Sequence, residues 1–375
     1  MTTSGTTSAA PMIVAALRTP IGTAGGSLAS VDAASLAAPV LARLAAEVAP
    51  GEVVLGNCMG PGGDVARVAA LAAGLSYDVP ALTVDRQCGS GLAAIEVGAA
   101  LVRSSGRPVV AGGVESASTA PWRFHAPVGD APPVRYQRAP FAPVEIGDPD
   151  MGLAADLLAA EQRIGRDAQD AYAVRSHQRA WAAQCAGVFV EELVSVGGVT
   201  TDERPRNGMT TARLARLRPA FRPAGTVTAG NACGINDGAA AVAIVPGDTE
   251  LPGLRILATA SAGVDPNRPG VGLVPAVRIA LDIAGLTLTQ LDVVELNEAF
   301  AGQVLACCAD LGLDPEQVCA EGGALALGHP WGASGAVLAV RLFGQLMRPG
   351  AGRYGLAAIA VGGGQGVAMV VEACR

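Results

Sequence analysis

The chain has no lysine: its 26 basic residues are all arginines, set against 33 acidic residues for a formal net charge of -7. That balance disfavours nucleic-acid binding, although arginine remains available for individual phosphate contacts. The missing lysine reads as a bias of GC-rich coding, not as chemistry. Aromatic residues are scarce, at 3%. Only His125, His177 and His329 are present, none in an HxxxH or HExxH setting, so a catalytic metal site is not expected. Eight cysteines form no CxxC pair and no regular framework, which reads as reduced thiols in a cytoplasm. No stretch reaches the roughly 18 uncharged apolar residues of a membrane helix, and Ala-rich 92–102 is interrupted by Glu96. The opening MTTSGTTSAAP is small and polar, without a basic region, and the apolar run after it is broken by Arg18 and Pro20. It reads as a frayed tail ahead of a soluble protein and not as a signal peptide.

What is present is apolar mass in a chain of 375 residues, half of them hydrophobic, with 49 glycines and 25 prolines. This is the composition of an α/β enzyme with two or three domains. An internal near-repeat supports that organisation. Cys88-Gly-Ser-Gly opens an Ala/Leu/Val helix leading to Val109-Val-Ala-Gly-Gly, and Gly332-Ala-Ser-Gly opens another leading to Ile359-Ala-Val-Gly-Gly-Gly. Two similar halves follow, each with a buried helix starting at a Gly/Ser turn. Apolar runs at 109–111, 240–245 and 356–361, with 81–84 beside them, suit strands covered on both faces. Residues 119–225 are richer in proline and charge and include an amphipathic stretch at 167–186, which reads as an inserted subdomain. The division is therefore 1–118 with 226–250, 119–225, and 251–375.

Three positions carry candidate chemistry. Cys88 stands between a buried strand and a helix, where free backbone N–H groups and the helix dipole favour a thiolate; taken alone, the position also suits a packed core thiol. His329, in a glycine-rich loop before the second buried helix, is placed to deprotonate a thiol or to serve as a structural donor. Asn297-Glu298 ends the strand-like stretch 291–296, the end at which α/β folds place function, although Asn297 also suits a helix N-cap.

Together these segments resemble the thiolase family along almost the whole chain. The resemblance rests on Arg18-Thr-Pro-Ile-Gly, Val84-Asp-Arg-Gln-Cys88-Gly-Ser-Gly-Leu, Val110-Ala-Gly-Gly-Val-Glu-Ser, Gly225-Thr-Val-Thr-Ala-Gly-Asn-Ala-Cys-Gly-Ile-Asn-Asp-Gly, Asn297-Glu-Ala-Phe-Ala and Gly328-His-Pro. It implies an α/β, five-layered αβαβα thiolase fold from two similar halves, with an inserted loop domain covering coenzyme A, in homodimers or homotetramers. It further implies that Cys88 takes the acyl group and His329 activates it. Asn297 would hold a water that forms one oxyanion site with His329, and the N–H groups of Cys88 and Gly362 would form a second. Met151, Phe221, Ala229 and Cys233 would lie along coenzyme A, with Arg206 near its phosphates. The acyl-CoA thioester is then a substrate, with no permanently bound cofactor.

The chain departs from the family where a second cysteine is usual, in Cys-x-Gly-Gly-Gly: here the residue is Ala360, and a methyl group transfers no proton. Asp150, Cys233 and Glu321 stand where His, Ser and Asn are usual, and such clustered changes favour natural divergence over an engineered substitution. Cys233 and Glu321 are candidates for the missing proton transfer, weighed against a packed thiol and a solvated carboxylate. Two alternatives to a thiolase-type acyltransferase stay open. One is a diverged acyltransferase performing decarboxylative condensation or transfer to oxygen or nitrogen; the other is a non-catalytic scaffold subunit.

Overall fold

The structure, a computed structural model, describes residues 10–375, so most of the polar N-terminal tail lies outside the described residues. The chain opens with β1 (Met12–Arg18), β2 (Gly22–Thr23), α1 (Ala33–Val48), β3 (Glu52–Gly56), α2 (Val65–Ala72), β4 (Ala81–Val84), α3 (Ser90–Ser105) and β5 (Val109–Ser116). The insertion holds an antiparallel pair, β6 (Arg123–His125) and β7 (Val134–Tyr136), and the helices α4 (Met151–Glu161), α5 (Arg166–Cys185) and α6 (Thr211–Leu214). β8 (Asn236–Val245) then returns to lie between β1 and β5. The second half comprises β9 (Gly253–Gly263), α7 (Leu273–Ala284), β10 (Val293–Leu296), α8 (Ala301–Leu311), α9 (Ala324–Leu327), α10 (Trp331–Leu346), β11 (Tyr354–Val361) and β12 (Gln365–Cys374).

The near-repeat read from the glycine motifs is a repeat of topology. Strands β3-β5-β8-β1 and β10-β11-β12-β9 follow the same order, with a parallel first pair and antiparallel pairs after it. The halves join edge to edge where Met12 and Ile13 pair antiparallel with Arg255 and Leu254, so one ten-stranded sheet runs through both. Helices α3 and α10 fill the space between the two sheet halves, where Leu92, Ile95, Leu338 and Val340 meet Ile244, Ile359 and Met369. Outside the first half, α1 and α2 pack on β3 and β5; outside the second, α7 and α8 pack on β10 to β12. That arrangement is the αβαβα order.

β5 and β8 are buried at every residue, as their unbroken apolar runs require. β4 is not: it is the free edge of the sheet, with Leu82 41% exposed, which corrects its grouping with the fully covered strands. Strand position, and not apolar content, decides how much of a strand is covered. No helix among the described residues is long and apolar enough to cross a membrane.

Two devices fix the interior. Arg18, fully buried on β1, donates its Nη1 and Nη2 to Asp202 at 2.6 and 2.8 Å and its Nε to Glu192 at 2.7 Å, tying the insertion to the central sheet. Glu192 is shared with Arg341 of α10, which also pairs with Glu321. Losing one member of such a buried set strands the others and costs about 3–5 kcal/mol. The second device is close backbone approach: a Cβ on Gly91 would stand 2.9 Å from both Ala336 N and Gly332 O, and one on Gly335 would stand 2.5 Å from Leu92 N. Gly335→Ala is therefore expected to destabilise the fold by about 1–3 kcal/mol and to depress activity more than its residual folded fraction explains. Denaturant unfolding beside activity per folded molecule checks this; unchanged stability would show that the helices have room between them.

Candidate active site

Cys88 precedes the first turn of α3. Gln87, with φ of 45°, turns the chain sharply out of β4, and Ser90 Oγ locks that turn by accepting from Arg86 N at 2.8 Å and donating to Gln87 O at 2.6 Å. The thiol accepts the backbone N–H groups of Gly362 and of Cys88 itself. These are the two donors the sequence assigned to an oxyanion site, and they converge beside the sulfur. Gly362 begins the turn from β11 to β12, where Gly363 and Gly364 take φ of 83° and 77°. Such a turn lets the Gly362 N–H point at the thiol. Burial nevertheless outweighs both donors and pushes the Cys88 thiol up to about 12, with Glu115 and Asp85 adding to the push. The expectation of a resting thiolate is thus corrected: desolvation exceeds the helix-terminus effect, and Cys88 keeps its proton at rest.

His329 is 3% exposed, and its position is set from three sides. Its backbone N–H donates to Asn236 Oδ1 at 2.9 Å, and Asn236 Nδ2 donates to Gly22 O at 2.9 Å. Gly328, with φ of 118°, permits this approach, since a Cβ there would lie 2.7 Å from the Asn236 side chain. Ser334 Oγ donates to Pro330 O at 3.1 Å, so at 2.6 Å it accepts from His329 Nδ1–H. The network thereby assigns the proton to Nδ1 and leaves Nε2 as the base. Burial drives the imidazole down to about 4.

Asn297 ends β10, 2% exposed, with its backbone N–H on Ala358 O of the neighbouring parallel strand. Its side chain borders a small cavity shared with Ser334, Gly328 and Glu295, and has no hydrogen-bond partner among the described residues. Glu298 holds the turn after it, accepting from Tyr172 Oη, Ser176 Oγ and Leu325 N at 3.0, 2.6 and 3.2 Å. Ala360 lies two residues before Gly362 on the adjoining strand, half-buried and offering only its methyl group.

The residues assigned to coenzyme A gather only in part. Met151 starts α4 beneath its N-cap Asp150, whose carboxylate accepts from Gly152 N and Leu153 N; that capping accounts for the departure at 150. Phe221 lies on Gly152, 40% exposed, with its ring edge-on to Phe300 at 6.1 Å. Ala229 sits exposed at the tip of the Thr228–Asn231 turn, and Cys233 is half-buried with its N–H on Ala299 O at 2.9 Å. Arg206 stands apart, exposed, beside Arg204 and His177. Glu321 is held by Arg341 and Arg348, so it is neither a solvated carboxylate nor a free base.

The sequence reading missed Asn236, Ser334 and Phe141. The Phe141 ring comes from the insertion and lies against Gly362, where a Cβ would approach it to 2.8 Å. Asn236 and Ser334 stand inside motifs already singled out, but Phe141, in a proline-rich loop, carried no local signal.

Comparison with known proteins places this geometry. Residues 11–248 match the family model for the thiolase N-terminal domain, and residues 252–373 that for the thiolase C-terminal domain. An acetyl-CoA acetyltransferase of Pseudomonas aeruginosa is 43% identical over 387 residues, covering 96% of this chain and 98% of that protein. A β-ketoadipyl-CoA thiolase of the same organism is 44% identical, covering 95% and 97%. The crystal structure of the Bacillus anthracis acetyl-CoA acetyltransferase superposes with a TM-score of 0.90 at 36% identity, covering 98% of this chain and all of that one.

A base at about 4 stays neutral through the physiological range. The rate of acyl transfer to Cys88 should therefore show no acid limb near 6.5, the ordinary imidazole value, and should fall only towards pH 4. The stability term has the same sign. Between pH 6.5 and 4 the unfolded chain takes up a proton that His329 refuses when folded, so stability is lost as pH falls through that window. A pH profile of kcat/KM with a limb centred at 6.5 would overturn this account of His329.

Proposed function

Because this chain belongs to the thiolase family, we propose that it acts as an acetyl-CoA C-acyltransferase with Cys88 as its covalent acyl carrier. It is an acyltransferase using acyl-CoA thioesters. The observation that carries the reading is the convergence of the Gly362 and Cys88 N–H groups on the Cys88 sulfur. An acyl carbonyl bonded to that sulfur has its oxygen beside two donors that need no reorganisation.

In this reading His329 Nε2 removes the thiol proton as Cys88 Sγ attacks the thioester carbon. The tetrahedral oxygen is held by the two N–H groups, and the coenzyme A sulfur leaves to give acyl-Cys88. Asn297 and His329 then stabilise the oxygen of the incoming thioester. Met151, Phe221, Ala229 and Cys233 border the pantetheine path, and Arg206 meets phosphate at its outer end. Support for this path comes from the exposed Phe221 ring beside Gly152 and Phe300, an apolar wall facing the groove. The insertion, 119–225, covers this path, and the flanking segments 1–118 with 226–250 and 251–375 form the two halves.

We place the protein in the cytoplasm as a homodimer or homotetramer. The assembly is supported by the free β4 edge and by Trp122 and Val134, 71% and 63% exposed around the β6–β7 pair. Ala360 favours a second reading, in which acyl-Cys88 is delivered by decarboxylative condensation or to an oxygen or nitrogen acceptor. A scaffold role would need neither the paired N–H donors nor the fixed imidazole tautomer.

Incubation with acetyl-CoA should add one acetyl group to the intact protein, mapped by peptide mass to Cys88. Cys88→Ala should abolish it, and His329→Ala should slow it by about 10²–10⁴-fold. Absence of the adduct from the unaltered protein would sink the covalent reading, and with it the second one.

A further inference from the structure

Acyl capture leaves one proton without a carrier. Breaking the carbon–carbon bond of a 3-ketoacyl thioester releases an enolate that must gain a proton, and the reverse condensation must remove one. His329 is committed to the Cys88 thiol, and position 360 offers a methyl group. The other titratable groups around the site are nearly all engaged. Asp85 is exposed and accepts from Gln87 N at 2.8 Å. Glu115 accepts from the Cys58 thiol at 2.8 Å and from Met59 N and Gly332 N, which occupies both partners. Glu298 holds Tyr172 and Ser176, and Glu321 is paired with two arginines. Glu295 accepts from Gln345 at 2.7 Å through Oε1 and its buried Oε2 has no partner among the described residues, but the cavity it borders is lined by neither Cys88 nor His329.

Cys233 remains. Its segment is strung between the two loops that carry the site: Ala232 is bridged to Phe300, Cys233 N donates to Ala299 O, and Ile235 is bridged to His329. The residue is half-buried, its thiol has only its own backbone N–H as a partner, and it is near enough to Cys88 for the two charges to interact. On its other side the Arg204 guanidinium covers Gly234, where a Cβ would come within 2.6 Å of Cζ, and Arg204 Nε is buried without a partner. Burial and Cys88 push the Cys233 thiol up to about 12 while Arg204 pulls it down, so it rests protonated beside a cation that favours its thiolate.

We propose that Cys233 is the second acid/base of the carbon–carbon step, carrying the proton that position 360 cannot. This rests on the reading of Cys88 as acyl carrier. In cleavage, the Cys88 proton passes to His329 and Cys88 Sγ bonds to the 3-keto carbon. The C2–C3 bond breaks, and the acetyl-CoA enolate takes the proton of Cys233. The Cys233 thiolate then deprotonates incoming coenzyme A, whose sulfur displaces Cys88 from the acyl carbon. Cys88 recovers its proton from His329, and every group returns to its starting state. Condensation runs the same steps backwards.

Thiolysis of acetoacetyl-CoA, exchange of the acetyl-CoA methyl protons in deuterated water, and acetylation of Cys88 by acetyl-CoA separate the roles. In Cys233→Ser, thiolysis and exchange should fall by about 10²-fold or more, and acetylation by less, because coenzyme A can leave as a thiolate whereas an enolate must be protonated in place. Adding Ala360→Cys to Cys233→Ser should restore thiolysis. Ala360→Cys alone should raise it less than about threefold, because the task is already filled; this measurement stands even if the Cys233 variant does not fold. A Cys233→Ser protein with undiminished thiolysis, or a hundredfold gain from Ala360→Cys alone, would overturn the proposal and leave acyl capture intact. Loss of acetylation in the unaltered protein would instead overturn the reading of Cys88.

Discussion

The close approach of α3 and α10 fixes where Cys88 and His329 stand. Cys88 stands just before one helix and His329 just before the other. Their relative position is a backbone dimension, set where Gly91, Gly332 and Gly335 let the helices meet without side chains between them. Interiors packed to crystal density do not absorb an added methyl group at such a crossing. The same glycines lie beside the strand ends: a Cβ on Gly113 of β5 would meet Gly332 O, and one on Gly89 would stand 2.7 Å from Val361 of β11. Cys88, His329 and the Gly362 turn are thus referenced to one crossing point, reached from both halves of the repeat.

The lack of lysine has a structural counterpart in the charge ladder Asp202–Arg18–Glu192–Arg341–Glu321–Arg348. Each inner arginine bridges two carboxylates, which requires the several divergent donors of a planar guanidinium; an ammonium is a point charge on a flexible stem. Arg18 and Arg341 also lie over the two sides of Phe189, with Cζ 5.3 and 4.5 Å from the ring centroid. The ladder runs from the central sheet through the insertion to α10, so the insertion is fixed to the helix that follows His329. Its benefit is one of geometry, since a buried ion pair contributes little net stability against an apolar replacement.

Much of this was legible because it was local. The repeated Gly/Ser turns, the apolar strands ending in glycine and the Asn297-Glu298 pair are short-range patterns, and they located both buried helices and the three central side chains. The repeat predicted two similar halves, whereas the strand order that makes them equivalent is visible only in the sheet. What escaped depended on partners far along the chain. Glu321 reads as solvated until Arg341 and Arg348 are brought to it. β4 reads like its apolar neighbours until it is seen to be last in the sheet. Phe141 belongs to a stretch without periodicity and acquires meaning only against Gly362. The protonation of Cys88 was misjudged for the same reason: the helix terminus is visible in sequence, whereas the burial that outweighs it is not.

That last correction alters how the site works. A preformed thiolate beside an imidazolium would be reactive towards any electrophile entering the groove. Here both partners are neutral at rest, the thiol pushed up by burial and by the negative field of Glu115 and Asp85, the imidazole pushed down by burial alone. Proton transfer between them is unfavourable until negative charge has somewhere else to go. A thioester carbonyl placed over Cys88 supplies that place, because its oxygen becomes the anion as the bond forms and the N–H groups of Cys88 and Gly362 are already there. Charge separation is then coupled to attack and does not precede it. In the role proposed for Cys233 the same logic applies to a second protonated thiol, whose thiolate the Arg204 cation favours when an enolate takes the proton.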